Sequence, residues 1–320
     1  MELPYRLKQI HDVLVNSRRV LIVAHKKPDG DALGSTSALY SWLKREGKEP
    51  VLFCRDLPAK QYQYLDGFSA YTNDEKVFDE HFDAVIVCDS GDLVYAGVDE
   101  LLPRLPAATK VINIDHHKTN QNYGDFNAVD VEATSTCEMV MRFFETNKID
   151  VDSAMATSML TGLFTDTSHF SNAATTPDGM EVAGRLIVAG ARMTDITNHL
   201  LKNKELPILK IWGLALSRLR KNEEQDIAVT FVSNKDFEKF RVDPAAVEGI
   251  SNFLQAVTGN AESILVLHDR CDGTVKGSMR SVSRDVSKIA KMFGGGGHKL
   301  AAGFTIDGAV RETATGFTIV

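Results

Sequence analysis

The sequence lacks the features that mark several specialised protein classes. It contains only four cysteines in 320 residues, and they form no CxxC pair: Cys54, Cys88, Cys137 and Cys271. We therefore expect neither a disulfide framework nor a thiolate zinc site, and a reducing cytoplasm is the expected compartment. The N-terminal apolar run Val20–Ala24 is too short for a signal-peptide core or a membrane span. The sequence shows no targeting signal.

Positive charge is also in deficit. The chain has 36 Lys and Arg against 43 Asp and Glu, a formal net charge of −7. Proteins that coat long nucleic acid or an anionic membrane usually have a basic surface, so neither role is expected. With 43% hydrophobic and 25% charged residues, the composition excludes disordered, collagen-like and coiled-coil classes. The length predicts roughly two domains of about 150 residues each.

The first 115 residues alternate short apolar runs with helical patterns. The runs predict four buried strands, Val20–Ala24, Val51–Cys54, Ala84–Cys88 and Val111–Ile114. Strands alternating with helices predict an α/β domain with a mainly parallel sheet flanked by helices. In such sheets ligands bind beyond the carboxyl ends of the strands.

From about residue 133 the pattern becomes mostly helical. Ser135-Thr136-Cys137-Glu138 has the form of a capping box and predicts a helix that ends near Asn147. The polar run Arg220–Asp226 is the candidate boundary before a smaller α/β domain. We expect a first domain over residues 1–190, a helical linker over 191–225 and a second domain over 226–320.

Metal-type ligands follow three of the predicted strands, and one more follows a predicted helix. If the strands are parallel neighbours, these groups converge on one edge of the sheet. Imidazole and carboxylate without thiolate suit manganese, magnesium or another divalent ion. Six ligands suit two ions that share a bridging carboxylate, as in two-metal phosphoesterases. The candidate residues are His25, Asp29, Asp31, Asp89, Asp115, His116, His117 and Asp166.

Some of these residues, such as Asp89 and His25, also have an ordinary explanation. An Asp that follows a strand commonly caps a helix or forms a turn, and a lone His is commonly structural. The combination of HxxxDxD, a strand-end Asp and the Asp115-His116-His117 triplet makes coincidence improbable. The pattern therefore favours a metal centre.

Two stretches of sequence resemble known signatures. His25–Ser35, Asp115-His116-His117 and Asp166-Thr167 resemble the motifs of the DHH phosphoesterase superfamily, and Gly294–Gly303 resembles the glycine-rich signature of the DHHA1 domain. The resemblance spans nearly the whole chain and is strongest to a compact two-domain branch of nanoRNases, pAp phosphatases and dinucleotide phosphodiesterases. It implies a DHH catalytic domain, a DHHA1 substrate-binding domain and two Mn²⁺ ions, with Co²⁺ or Mg²⁺ as substitutes.

The resemblance also implies a role for each ligand. One ion would be held by His25, Asp29 and Asp89, and the second by Asp31, Asp89, His116 and Asp166, with Asp89 as the bridge. His117 would face the substrate phosphate and Asp115 would orient the histidine pair, so Asp89, Asp115 and His117 are the predicted catalytic residues. The sequence departs from the pattern at one place. Many relatives carry an Arg between the bridging Asp and a following Gly, whereas Ser90–Gly97 contains Tyr95 and no Arg.

The segment 270–299 is basic, with seven Lys and Arg against two acids. Part of this charge has the spacing of a solvated helix face, and a glycine run alone is typical of a flexible loop. However, Arg280 ends a predicted strand, where a guanidinium suits bidentate phosphate binding, and consecutive glycines can bring amide donors close to an anion. By resemblance, the second domain binds the second phosphate or the base of a nucleotide through Lys276, Arg280, Ser281, Gly296, Gly297 and His298.

These features predict a manganese-dependent phosphodiesterase or phosphatase that acts on short nucleotides. The candidate substrates are oligoribonucleotides, linear pApA or pGpG, pAp and cyclic di-AMP, and the sequence leaves the choice among them open. One alternative is a RecJ-type 5′→3′ single-strand exonuclease, although such chains are generally longer. Another is a catalytically silent nucleotide sensor, against which the intact ligand set argues. We expect no long nucleic acid or membrane as a partner, and we expect a homodimer.

Overall fold

The computed structural model describes residues 2–172, 174–202, 205–259, 261–313 and 316–320. The chain divides into two compact units, Met1–Asn203 and Lys204–Val320. The predicted α/β class, with a smaller second α/β domain, is confirmed. The predicted linker contains residues 203 and 204, which lie outside the described residues, and the predicted domain ranges stay a prediction.

The first unit contains a six-stranded sheet in which all neighbouring strands are parallel. Its strands are β1 (Arg19–Val23), β2 (Glu49–Phe53), β3 (Tyr71–Thr72), β4 (Ala84–Cys88), β5 (Lys110–Asp115) and β6 (Phe126–Val129). Their order is β3-β2-β1-β4-β5-β6. Because β1, β4 and β5 are neighbours, the three strand ends that carry the predicted ligands lie side by side.

Both faces of this sheet are buried, which explains why its strands are continuous apolar runs. Along β1, Val20 and Ile22 point into one hydrophobic core, while Leu21 and Val23 point into the other. The helices of the unit are α1 (Leu3–Asn16), α2 (Gly30–Arg45), α3 (Leu93–Ala96), α4 (Thr136–Thr146), α5 (Ser153–Asp166), α6 (Pro177–Val188) and α7 (Met193–Leu200).

Helix α4 begins where the capping pattern predicts, but the reciprocal bond differs. The Ser135 side chain accepts a hydrogen bond of 3.1 Å from Glu138 N–H, as expected of an N-cap. The Glu138 carboxylate accepts from the backbone N–H of Thr134 at 2.8 Å and not from that of Ser135. The side chain thus reaches one residue further back, so it ties the incoming loop to the first turn of the helix.

Glycines allow α2 and α5 to pack very closely. A Cβ at Gly34 would lie 2.3 Å from the backbone oxygen of Ser158, and a Cβ at Gly162 would lie 2.5 Å from Asp31 Oδ1. Neither position can hold a larger residue without a shift of the helices. This close approach brings Asp31, near the start of α2, towards Asp166, at the end of α5.

The second unit contains a mixed six-stranded sheet and a separate two-stranded sheet. Its strands are β7 (Arg220–Asn222), β8 (Ile227–Val232), β9 (Ser263–Asp269), β10 (Thr274–Ser281), β11 (Gly296–His298), β12 (Ala301–Asp307), β13 (Val310–Thr313) and β14 (Gly316–Ile319). The order in the larger sheet is β11-β12-β10-β9-β8-β7, where β8 and β9 are parallel and the other neighbours are antiparallel, while β13 and β14 form the smaller sheet. The helices are α8 (Leu206–Ser217), α9 (Asn234–Phe240), α10 (Ile250–Val257) and α11 (Val286–Met292).

One detail of the second unit differs from the sequence-based expectation of a boundary at the polar run 220–226. That run forms β7 and the turn to β8, inside the unit. Further along the chain, a 3₁₀ turn, Pro244–Val247, precedes α10. The extended residue Glu248 ends the turn, and Gly249, with a φ of +84° that glycine readily adopts, is the N-cap of α10. Among the described residues, no helix is both long enough and apolar enough to cross a bilayer.

Candidate active site

The predicted ligands of the first unit meet at the carboxyl edge of its sheet. Their side chains form three groups within which the ligand atoms lie within 4.8 Å of one another. Asp89 belongs to two of these groups, and so does His116. The groups are His25–Asp29–Asp89, Asp31–His116–Asp166 and Asp89–His116–His117. All six predicted metal ligands are therefore brought together, and His117 lies beside them.

Asp89 lies between two histidines and offers each a different oxygen. Asp89 Oδ2 is 3.4 Å from His25 Nε2, and Asp89 Oδ1 is 3.7 Å from His116 Nε2. The residue directly follows β4 and has a φ of +58°, which is uncommon for a residue other than glycine. Such strain is retained where the surroundings hold a side chain in a required place. The arrangement would allow Asp89 to bridge two cations.

The two metal-candidate histidines are oriented by backbone carbonyls. His25 Nδ1 lies 2.8 Å from the Lys26 carbonyl oxygen, and His116 Nδ1 lies 3.2 Å from the Ala133 carbonyl oxygen. Each Nδ1–H thus donates to a carbonyl oxygen, so Nε2 is the ring nitrogen that faces the carboxylates, and it could bind a cation in place of a proton. Metal-binding histidines in proteins are commonly held in this way.

Asp31 is held by the beginning of α4. Its two carboxylate oxygens accept the backbone N–H groups of Thr136 at 2.6 Å and Cys137 at 2.8 Å. The hydroxyl of Thr136 also donates to Asp89 Oδ1 at 2.9 Å. The N-terminal end of a helix stabilises negative charge. One turn of α4 therefore positions two of the acids.

Asp29 caps a helix and also lies beside a histidine of the cluster. Its Oδ1 caps α2 by accepting the N–H groups of Asp31 and Ala32 at 3.0 and 3.1 Å. The same carboxylate lies 3.7 Å from His25 Nε2. The ordinary explanation of this Asp as a helix cap is therefore correct, and it does not exclude a ligand role.

The cluster concentrates negative charge in a buried place. Burial, with the nearby charges of Asp89 and Asp166, raises the pKa of Asp31 well above its ordinary value, and burial raises the pKa of Asp166 to about 6. Burial by itself lowers the pKa of His25 and of His116, but the surrounding carboxylates outweigh it and raise the pKa values to about 12 and about 10. The site therefore strongly favours bound positive charge.

His117 is oriented by a buried acid. Its Nδ1 lies 2.7 Å from Asp115 Oδ1, and the hydrogen bond raises the pKa of His117. The other oxygen of Asp115 accepts from the side-chain amide of Asn120 at 2.5 Å. The His117 side chain remains 41% exposed, which leaves it accessible to a ligand in solvent.

The donor set fits divalent cations. Preoriented imidazole nitrogens and carboxylate oxygens at this density, most of them buried or partly buried, match the ligand preferences of Mn²⁺ and related ions. His25, Asp29 and Asp89 would hold one ion, while Asp31, His116 and Asp166 would hold the other with Asp89. The same side chains without cations would be a cluster of mutually repelling carboxylates.

In the second unit, the predicted cations share one face of β10. Lys276, Ser278 and Arg280 alternate along the strand with buried Val275, Gly277 and Met279, as the burial pattern of β10 shows. These three polar residues line a pocket of about 180 Å³ beside the start of α10. Among the described residues, neither Lys276 nor Arg280 has a carboxylate within salt-bridge distance. The face is suited to an anionic ligand.

Arg280 is fixed by two neighbours. Its Nε donates to Asn252 Oδ1 at 2.6 Å and its Nη1 donates to the Met279 carbonyl oxygen at 2.8 Å. Both partners are neutral acceptors, so the guanidinium keeps its charge uncompensated while its orientation is restricted. This is the preorganised fork that phosphate binding favours.

The predicted substrate-binding Ser281 lies on the opposite face of β10. It is 1% exposed, donates to the Glu262 carbonyl oxygen at 3.1 Å and accepts from Arg284 N–H at 2.9 Å. These bonds fix the turn that leads to α11. The structure thus brings Ser278, and not Ser281, beside Lys276 and Arg280.

The glycine-rich segment is an edge strand. Gly296–His298 form β11, which pairs with β12 and places Gly296 opposite Gly303 and His298 opposite Ala301. A Cβ at Gly297 would lie 2.6 Å from the Ala301 carbonyl oxygen, so this glycine is required by strand packing. A Cβ at Gly296 would meet nothing within 4 Å, and His298 is exposed. Gly296 and His298 therefore remain accessible.

Sequence reasoning missed several residues that hold the site. The position of Ser278 beside Lys276 and Arg280 could have been predicted from the sequence, because side chains alternate between the two faces of a strand. Thr136 and Asn120 had no such signal, because their contacts with Asp89 and Asp115 join segments that are remote in the sequence or are set by loop geometry.

Comparison with known proteins agrees with the two-unit architecture. Residues 19–163 match the family model of the DHH family, N-terminal domain, and residues 224–315 match that of the DHHA1 domain. A Thermus thermophilus protein named bifunctional oligoribonuclease and PAP phosphatase NrnA is 31% identical over 299 residues, covering 90% of this chain and 84% of that protein. The Bacillus subtilis protein of the same name is 27% identical, covering 90% and 89%.

A solved structure shares the fold. The crystal structure of an exopolyphosphatase-related protein from Bacteroides fragilis superposes with a TM-score of 0.84, at 23% identity over 94% of this chain and 90% of that chain. The relatives match along both units and in the same order, and the resemblance seen in the motifs is confirmed. The chain therefore belongs to the DHH/DHHA1 phosphoesterase family.

Proposed function

We propose that the chain is a two-manganese hydrolase of short nucleotides. Its substrates are oligoribonucleotides, linear dinucleotides such as pApA and pGpG, and pAp, with cyclic di-AMP as a further candidate. One observation carries the two-ion part of the proposal. Asp89 presents Oδ2 to His25 and Oδ1 to His116, so one carboxylate serves two ligand groups.

The bound ions would supply an activated water nucleophile and neutralise charge on the phosphoryl oxygens. The protein's own residues supply orientation. Asp115 holds the Nδ1–H of His117, which directs His117 Nε2 away from the acid. His117 Nε2 is thereby the ring nitrogen that is available to contact a phosphate oxygen.

The preference for short substrates rests on three observations. The chain is acidic overall, which disfavours long polyanions. The uncompensated cations of the second unit, Lys276 and Arg280, suit one additional phosphate and do not form an extended basic track. The relatives from Thermus thermophilus and Bacillus subtilis carry the names of an oligoribonuclease and a PAP phosphatase. We therefore propose that Lys276, Arg280, Gly296 and His298 bind the second phosphate or the base of a nucleotide.

A substrate panel tests the function directly. pAp, pApA, pGpG, cyclic di-AMP and RNA from 2-mers to 24-mers are assayed with Mn²⁺, Co²⁺ and Mg²⁺. We expect turnover of the short substrates with Mn²⁺, weaker turnover with the other two ions and none after chelation. The metal-ligand variant Asp31→Ala should be inactive on all of them.

The same panel separates the alternatives. Faster degradation of the 24-mer than of the dimer would assign the protein to the RecJ-type exonucleases. Tight nucleotide binding without hydrolysis by the manganese-loaded chain would make it a sensor. The homodimer is likewise a proposal, which light scattering of the eluting protein tests by its mass.

A further inference from the structure

An open pocket of about 450 Å³ lies in the first unit beside the candidate metal cluster. Its lining includes Lys26, Leu93, Tyr95, Gln121 and Tyr123. The volume is in the range of small-molecule sites. None of these five residues is a predicted metal ligand or belongs to the predicted catalytic set.

The pocket is adjacent to the cluster through a ring contact. The Tyr95 ring lies 4.7 Å from the imidazole of His25, centroid to centroid, with an interplanar angle of 31°. Tyr95 is nevertheless 47% exposed. Part of the aromatic surface is thus in contact with a metal-candidate histidine, and part is open to a ligand.

Both walls of the pocket are fixed before any ligand binds. On one side, the Tyr95 N–H donates to Asp92 Oδ1 at 2.6 Å, and its carbonyl oxygen accepts from Lys26 N–H at 3.3 Å. On the other side, the Gln121 N–H donates to the Gly91 carbonyl oxygen at 2.9 Å.

The Tyr123 hydroxyl also donates to the Ser90 carbonyl oxygen at 3.0 Å. The loop after β5 is therefore tied to the loop after β4. A preformed pocket binds its ligand with less loss of conformational entropy.

The chemistry of the lining matches a nucleobase. Tyr95 and Tyr123 supply aromatic rings, on which bases of any sequence can stack. The exposed side chain of Gln121 supplies an amide, which can both donate to and accept from the edge of a base. Lys26 adds a positive charge, and no described residue forms a salt bridge with it.

The location of the pocket also matches that of a nucleobase. A nucleotide whose phosphate lies at the cluster carries its base on the adjoining sugar, and the pocket adjoins His25 at the edge of that cluster. The loop between Ser90 and Gly97, which supplies Tyr95, contains no arginine. That loop therefore places an aromatic ring, and no guanidinium, beside His25.

We propose that this pocket is a nucleobase subsite in which Tyr95 stacks on the base of the nucleotide whose phosphate occupies the metal cluster. The proposal rests on the proposed function for the position of that phosphate. Tyr95 is then a residue that binds substrate, and the pocket favours phosphates that carry a base over phosphates that do not.

The test compares two ligands that differ only in the base. Adenosine 5′-monophosphate and ribose 5-phosphate are titrated calorimetrically into the Mn²⁺-loaded chain, and the ratio of their affinities reports the contribution of the base. We expect the wild-type chain to bind the adenine nucleotide more tightly. Tyr95→Ala should lower the affinity ratio about tenfold, within the range measured for loss of a stacked base.

Three further variants make the result specific. Tyr95→Phe keeps the ring and should keep the ratio. Gln121→Ala should lower the ratio without removing the stack. Tyr5→Ala removes a tyrosine of similar exposure, 52%, from α1, which supplies no described residue of the cluster, and should leave the ratio unchanged.

The outcomes distinguish the two proposals. Equal affinity of both ligands for the wild-type chain, absence of nucleotide binding, or an unchanged ratio in Tyr95→Ala would overturn the subsite. If Tyr95 only shields His25, Tyr95→Ala would alter metal content or weaken both ligands equally, which also overturns it. Turnover of pApA by the wild-type chain is measured in parallel. If the wild-type chain does not turn over pApA but its affinity ratio depends on Tyr95, the proposed hydrolase function is overturned and the nucleobase subsite is retained.

Discussion

The side-chain amide of Asn120 donates a hydrogen bond of 2.5 Å to Asp115 Oδ2. The other oxygen of Asp115 holds His117, so the orientation of the histidine depends on Asn120, whose side chain bonds to none of the six predicted metal ligands. Asn120 also donates to Asn113 Oδ1 at 2.7 Å, which fixes the amide itself. The loop after β5 thus supports the exposed histidine through a buried acid.

Asn120→Ala should therefore lower kcat by about 10–100-fold, the usual range for loss of a residue that orients a site ligand. Metal content should stay at the wild-type level, because His25, His116 and their carboxylates keep their own supports. Steady-state kinetics on pApA with metal analysis checks both. Asn16→Ala, which removes an exposed amide from α1, is the control. Loss of metal in Asn120→Ala would show that the network serves the cluster and not His117.

Asp89→Ala should be the most damaging single change among the metal ligands. Because Asp89 faces both ligand groups, its loss should lower the metal content at both, whereas Asp166→Ala should affect mainly one. Metal per chain is measured by elemental analysis, together with turnover. The exposed Asp99→Ala serves as control. Near-normal turnover and metal content in Asp89→Ala would refute the bridging assignment.

Gly162→Ala should damage both stability and metal binding. The new Cβ would lie 2.3 Å from Cys137 Sγ and 2.5 Å from Asp31 Oδ1. Overpacking of this kind costs about 1–3 kcal/mol in the free energy of unfolding. A Cβ at Gly184, inside α6, would meet nothing within 4 Å, so Gly184→Ala should stabilise the chain by about 0.5–1 kcal/mol. Urea denaturation of both variants, with metal analysis, decides whether packing at Gly162 positions Asp31.

Arg280→Ala and His298→Ala should separate substrate binding from hydrolysis. Loss of a charge-assisted hydrogen bond should lower kcat/KM for a dinucleotide by about 10–100-fold. A small generic phosphate ester lacks the second phosphate and should be affected far less, while Asp31→Ala should abolish both reactions. Arg311→Ala, at an exposed arginine of β13, controls for charge. Equal losses on both substrates in Arg280→Ala would exclude the proposed phosphate contact.

The second unit should lose stability in acid through Asp236. Burial alone raises the pKa of Asp236, but hydrogen bonds from Arg218 and Ser233 outweigh it and hold the pKa below its ordinary value. A carboxylate whose pKa is lower in the folded than in the unfolded chain stabilises the fold at pH values above its unfolded-state pKa. This stabilisation is lost as the pH falls through the folded-state pKa.

Asp236→Asn should therefore lower the free energy of unfolding by about 1–3 kcal/mol at pH 7. The difference from wild type should shrink below about pH 4, where the unfolded chain's carboxyl groups are protonated. Chemical denaturation at pH 7 and pH 3.5, with the exposed Asp307→Asn as control, measures this. A difference that does not change with pH would show that the charge of Asp236 is not the stabilising feature.

The sequence alone determined much of the candidate metal centre. Strand-end ligands are readable because buried parallel strands are continuous apolar runs, and the residue after each run lies at the carboxyl edge. His25, Asp89 and Asp115 were located by this rule. The α/β class followed from the same periodicity, since burial on both faces leaves a pattern that needs no knowledge of the rest of the chain.

Only the tertiary structure decided how the candidate ligands are supported and which face of β10 is covered. The contacts of Thr136 with Asp89 and of Cys137 with Asp31 join segments about 50 to 100 residues apart, and no local pattern encodes them. Ser281 and Ser278 are both serines near Arg280, and the register of β10 alone places one in the core and the other at the surface. Local sequence fixes the period of a strand, whereas the packing of remote helices and strands selects the face that is covered.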